Sequence, residues 1–165
     1  MFEIYAGGVV RGERIKVKGE RFVISIMKFN QIILENLEPL FQKYNLNISE
    51  QWDNYVQVRS DHLVIVFAHN KYDNSNTLFL NRNNGKPYTI EIDNSLLKSF
   101  FNSDLKLSEV PVDVFVNNLV LFFEDVGVSI LNGDLNRIGE LEKFNLERSR
   151  IYTANLLARQ KLYKK

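Results

Sequence analysis

From Phe29 onward, the spacing of apolar residues divides the chain into a helical opening, a stretch of strands and a helical remainder. Ile33, Leu37, Leu40, Phe41 and Tyr44 recur at i, i+4, i+7, i+8 and i+11, one apolar stripe along a helix over about 29–44. Pro39 lies inside that stripe, where it removes a backbone hydrogen bond and crowds the preceding turn. The spacing therefore predicts a kink near Asn36–Glu38 or two shorter pieces. Period two then takes over. Tyr55-Val56-Gln57-Val58-Arg59 alternates, Ser60-Asp61 offers a two-residue turn, and His62 to Ala68 reads as a strand buried on both faces. Two further alternating runs, 77–81 and 88–92, flank Asn83-Asn84-Gly85. Asn-Gly tolerates the positive φ of a tight hairpin, with Gly85 placed to adopt it. The stretch over about 47–92 is an antiparallel meander.

Beyond it the period returns to that of helices. Asp93 or Asn94 can cap a short helix through Leu96, Leu97, Phe100 and Phe101. Pro111 suits the first turn of a longer one, through Phe115, Leu119, Phe122 and Phe123 to Ile130. Asn132-Gly133-Asp134 is a stop and a start, Gly closing one helix and Asp capping the next, with helical pieces at about 135–144 and 147–163. Strands and helices segregated along the chain specify an α+β fold. The expected architecture is a meander sheet of three to five antiparallel strands, with an N-terminal helix and C-terminal helices packed on one face. One domain is expected over 1–165, with its α+β core at 29–165. Before that core, Arg14-Ile15-Lys16-Val17-Lys18 alternates and Phe22–Ile26 is rich in β-branched residues, so 1–26 reads as a β-hairpin. Met27-Lys28-Phe29 opens directly onto the amphipathic helix and reads equally as a start, which would make 1–26 an upstream extension.

Composition narrows the class. A chain of 165 residues, 45% hydrophobic and 25% charged, has a globular balance. At this size it can bury roughly 68–70% of its unfolded surface, enough for a core without staples. The absence of cysteine excludes disulfides, thiolate metal sites and a cysteine nucleophile. The longest nearly apolar run, Leu63–Ala68, is far short of the roughly 20 residues a membrane span needs. Charges through the first 26 residues leave no signal-peptide core. A cytoplasmic protein with no membrane contact is expected.

The net charge of +1 conceals a segregation. Residues 1–28 carry six basic against three acidic side chains (+3), 29–136 seven against fourteen (−7), and 137–165 eight against three (+5). Ends and middle either pair with each other or offer an acidic face and a basic tail to partners.

Candidate chemistry is sparse. His62 and His69 lie seven apart on one presumed strand and so point to opposite faces, and no HExxH or His-x-His occurs. Neither a Gly-x-Ser-x-Gly elbow nor a Gly-rich phosphate loop is found. Glu124 and Asp125 are adjacent on a helix and do not converge. Asp73-Asn74-Ser75-Asn76 lacks the glycine and closing glutamate of a calcium loop. No catalytic residue, metal or cofactor is therefore expected. The aromatics differ. Phe100-Phe101 and Phe122-Phe123 sit on apolar helical faces, whereas Trp52, Tyr55 and Tyr72 lie at strand ends and in loops among polar neighbours. Such aromatics serve as interface anchors, as stacking platforms for bases, or as caps on a sheet edge.

The order of elements also resembles that of the small α+β immunity-type proteins that bacteria encode beside polymorphic or contact-delivered toxins. The features that carry this are the Leu37-Glu38-Pro39-Leu40-Phe41 helix, the Trp52-to-Ile92 meander and the Ile130-Leu131-Asn132-Gly133-Asp134 junction. The closing segment follows with Leu141-Glu142-Lys143-Phe144 and Tyr152-Thr153. The resemblance spans about 29–165 and implies a toxin inhibitor acting by occlusion, with no shared catalytic residues. The acidic 29–136 region would face a basic toxin domain, with Trp52, Asp53, Tyr55 and Asp73 as the expected contacts. The alternative reading is a nucleic-acid-binding protein using a basic C-terminal helix (Arg148, Arg150, Arg159, Lys161, Lys164 and Lys165).

Overall fold

The computed structural model describes residues 27–84 and 89–162. The hairpin expected within 1–26, the conformation of Gly85, and Lys164 and Lys165 lie outside the described residues. Helix α1 (Phe29–Lys43) leads into five strands, β1 (Asn47–Trp52), β2 (Tyr55–Arg59), β3 (Leu63–Asn70), β4 (Ser75–Arg82) and β5 (Thr89–Glu91). Four helices follow: α2 (Asn94–Phe101), α3 (Val112–Glu124), α4 (Val128–Leu131) and α5 (Leu135–Leu162). The expected α+β class holds, with the meander at the upper end of the expected strand count. Every strand pairs antiparallel with its sequence neighbour, in the order β1-β2-β3-β4-β5.

One face of the sheet holds the core. Val56, Val58, Ile65, Phe67, Leu78, Leu80 and Ile90 project from it into a cluster with Ile33, Leu37 and Phe41 of α1 and with Phe115, Leu119 and Phe122 of α3. β3 is buried along Leu63–Phe67 on both faces, as its unbroken apolar run requires. β2 and β4 alternate between buried and half-buried residues.

Three helix boundaries differ from the pattern-based expectation. α1 runs unbroken through Pro39 rather than splitting. Pro39 lies near the C-terminal end of the helix and is exposed, so its ring meets solvent. The long helix expected to reach Ile130 ends at Glu124, and α4 begins separately at Val128. The break is at Gly127, whose amide donates to the Phe122 carbonyl (2.7 Å); a Cβ there would lie 3.0 Å from the Phe122 ring. Finally, the two pieces expected after Asp134 form the single helix α5. Asn145 interrupts the apolar stripe but not the backbone: its side chain is buried and accepts from Arg148 Nη2 (3.3 Å).

The caps follow the sequence closely. The Asp93 carboxylate accepts from the Leu96 amide (2.7 Å), and Asp134 Oδ1 accepts from the amides of Asn136 and Arg137 (3.0 Å each). Gly133 between α4 and α5 has φ 78°. The segregated charges pair in part. Lys28 meets Asp53 (2.9 Å), Arg148 meets Asp93 (2.8 Å), and Arg82 forms a two-pronged bond with Glu142 (3.1 Å to each oxygen).

Candidate functional site

In a meander, alternate turns fall at the same end of the sheet. The β1–β2 turn (Asp53, Asn54) and the β3–β4 turn (Lys71 to Asn74) therefore lie together, and the start of α1 joins them. Each junction has its own bonds. Asn54 accepts from the His69 amide through its carbonyl (2.9 Å) and donates from Nδ2 to the His69 carbonyl (3.1 Å), tying the first turn to β3. The Asp53 carbonyl accepts from the Asn30 amide in the first turn of α1 (3.2 Å). In the β3–β4 turn, Asp73 Oδ1 accepts from the Ser75 amide (3.0 Å) and hydroxyl (2.6 Å), while Asn74 adopts φ 56°.

This frame presents the aromatics that the sequence singled out. Trp52 at the end of β1 is 56% exposed, and Tyr72 at the tip of the β3–β4 turn is fully exposed. Tyr55, opposite Trp52 in register, is half-buried; its ring lies 4.9 Å from the indole and its hydroxyl donates to Gln57 Oε1 (3.0 Å). Burial, with Glu50 nearby, pushes the Tyr55 hydroxyl above the ordinary phenolic range. All four candidate contacts, Trp52, Asp53, Tyr55 and Asp73, thus come to one end of the sheet.

The carboxylates there also serve the fold. A hydrogen bond from Lys28 holds Asp53 below the usual carboxylate range, and the charge of Lys71 acts in the same direction. The Ser75 hydroxyl and amide hold Asp73 low. With Lys28 and Lys71 beside them, this end carries matched charges rather than the bare acidic face suggested by the segment totals. Sequence reasoning missed Lys28, Lys71 and Asn54. Their roles depend on which turns become neighbours across the sheet, and no local pattern encodes that.

The histidines are apart, but not as two positions of one strand: β3 begins at Leu63 and leaves His62 outside it. His69 faces the core, stacked on Phe29 with centroids 5.5 Å apart, and its Nδ1 is 2.9 Å from Asn76 Oδ1. Asn76 is itself buried and donates to the Val110 carbonyl (2.7 Å). His62 sits in the β2–β3 turn, its ring against Gly133 and its Nε2 buried with no hydrogen-bond partner among the described residues. Among the described residues, no group of three or more His, Asp or Glu side chains is arranged to hold a metal ion, and no helix is long and apolar enough to cross a membrane. Comparison with protein-family models, curated proteins and solved structures finds no match to this chain.

Proposed function

We propose that this chain is a non-catalytic, cytoplasmic binding protein that neutralises a protein partner by covering its working surface, as the immunity-type inhibitors it resembles do. The observation that carries this reading is the presentation of two exposed aromatics at one end of the sheet: Trp52 beside a turn bonded to β3 and to α1, and Tyr72 on a turn closed by its own Asp73–Ser75 bonds. Large aromatics on a preordered frame lose little entropy on docking and dominate interface energies. Asp53 and Asp73 flank them, the first matched by Lys28 and Lys71 and the second bonded to Ser75, leaving a rim that favours orientation over raw attraction. The nucleic-acid alternative has less support: Arg148 is engaged with Asp93 and Arg150 lies 3.7 Å from Glu147.

Co-expression with the products of neighbouring genes tests the reading. One of them should arrest growth alone and be relieved by this chain. Trp52→Ala and Tyr72→Ala should each weaken that complex by about 2 kcal/mol, roughly 30-fold in Kd, without shifting the denaturation midpoint. Binding of single-stranded or duplex oligonucleotides at micromolar or tighter concentrations in about 0.15 M salt, lost in Arg159→Glu, would overturn it.

A further inference from the structure

We propose that the free edge of β1, with the groove beside it, receives an extended segment of a partner chain as a sixth strand, one in which apolar and basic residues alternate. This rests on the protein-binding reading above and adds to it a mode of docking and a partner chemistry.

β1 is the outermost strand, and among the described residues no strand pairs with its outer edge. All six of its residues are exposed, and among the described residues neither a helix nor a loop covers its outer edge. An uncovered edge offers a row of backbone donors and acceptors to any extended chain. Beside it, between α1 and the start of β1, lies a groove of about 520 Å³. Leu34, Phe41, Leu46 and Ile48 make its apolar lining, and Glu38 and Gln42 its polar one. Ile48 stands opposite Val58, whose side chain is in the core, so it projects on the helix side of the sheet and remains 49% exposed. Glu50 stands opposite Gln57, on the other face.

A strand laid along β1 would therefore meet two different surfaces in alternation. Side chains on the helix side would enter the groove beside Leu34 and Ile48; those on the other side would pass Glu50. Charge specifies the polar half. Glu50 lies on the face those side chains pass and Glu38 lines the groove; against them stand Arg59, opposite Asn47 at the other end of the strand, and Lys43, which is drawn over the Tyr44 ring, 4.9 Å from its centroid. Basic side chains suit this surface and acidic ones do not.

The same charges argue against a second copy as occupant. Two β1 edges paired antiparallel would bring each Glu50 towards its counterpart, and like charges across a strand pair destabilise it. The bulge at Ser49 falls within both strands and would disturb the register twice. A basic, unbulged strand avoids the like-charge contact and meets the bulge once rather than twice. Continuity with the site helps as well, since β1 ends at Trp52.

The test uses the full chain and three labelled nine-residue peptides in about 0.15 M salt. The first alternates lysine and valine, the second alternates glutamate and valine, and the third is the lysine peptide N-methylated at every residue. Fluorescence polarisation should give micromolar binding for the first and at least about tenfold weaker binding for the other two. Amide exchange at Asn47–Trp52 should slow when the first peptide binds. Glu38→Lys with Glu50→Lys should reverse the preference between lysine and glutamate peptides, an outcome that misfolding would not produce. Four results would overturn the proposal: equal affinity for the N-methylated peptide, protection elsewhere, no binding of any peptide, or protection in the free chain of those β1 amides that face away from β2. The last would mean that a second copy or the chain's own N-terminal segment occupies the edge. Loss of partner neutralisation in Trp52→Ala beside a failed peptide test would retain the binding function and discard this mode of docking.

Discussion

Gly133 has φ 78°, and a Cβ built on it would lie 2.8 Å from the His62 ring. Two penalties therefore attach to Gly133→Ala: a left-handed backbone that costs an L-residue about 1–2 kcal/mol, and a collision with the imidazole. Chemical denaturation should show the variant destabilised by at least that amount. Adding His62→Ala should recover the steric share and leave the backbone share, which separates the two. Phe67 and Phe122 are wholly buried. Truncating either to Ala should cost about 3–5 kcal/mol, read from the urea midpoint. Asp53 and Asp73 give a pH dependence of definite sign. Both folded carboxyls titrate below the ordinary value near 3.9, so their stabilisation is present above that value and is lost as pH falls through the folded pKa values. The drop in urea midpoint between about pH 6 and pH 3 should be smaller in the Asp53→Asn, Asp73→Asn double variant than in the parent.

At the scale of elements, Pro39 is the clearest liability. Inside a helix it leaves the Glu35 carbonyl without its i+4 amide, and proline is about 3 kcal/mol less favourable than alanine at such positions. Pro39→Ala should raise the denaturation midpoint, with up to about that gain because the site lies near the helix end. α5 is 28 residues long, about 42 Å at 1.5 Å per residue, yet its buried side chains end at Asn145 and every residue over 150–160 is exposed. Amide exchange should be slow through its first three turns and much faster beyond Ile151.

These elements also show what local pattern can encode. Caps at Asp93 and Asp134, and the two-faced burial of β3, were legible because each follows from neighbours in sequence. The break at Gly127 was not, since it depends on how closely that backbone approaches the Phe122 ring. The continuity of α5 was obscured by Asn145, a buried polar residue whose place on the inward face is fixed by tertiary contacts. The candidate site divides the same way. Polar neighbours set Trp52, Tyr55 and Tyr72 apart from the core aromatics but did not separate the exposed Trp52 and Tyr72 from the half-buried Tyr55, and the bonds joining Asn54 to His69 exist only once β2 and β3 are in register.

For the whole molecule, the pairing of Lys28 with Asp53 and of Arg148 with Asp93 shows that the basic ends and acidic middle partly neutralise each other. Long-range attraction to a partner is correspondingly reduced, and the association rate should vary with ionic strength less steeply than the segment totals of +3, −7 and +5 imply. Stopped-flow measurements across about 0.05–0.5 M salt would check this.

The meander has a kinetic consequence. Its first three connections span two, three and four residues, so each strand pair closes a short loop and little chain entropy is spent before contacts form. α5 packs against its neighbour α4 but also against α2 and, through Glu142, the Arg82 end of β4, and those distant contacts have no such advantage. We predict that β2, β3 and β4 assemble first and that the helices dock afterwards. Val58→Ala and Leu80→Ala should then slow refolding, whereas Leu141→Ala on α5 should leave refolding almost unchanged and accelerate unfolding. The opposite partition in a chevron analysis would place the helices, rather than the sheet, at the folding nucleus.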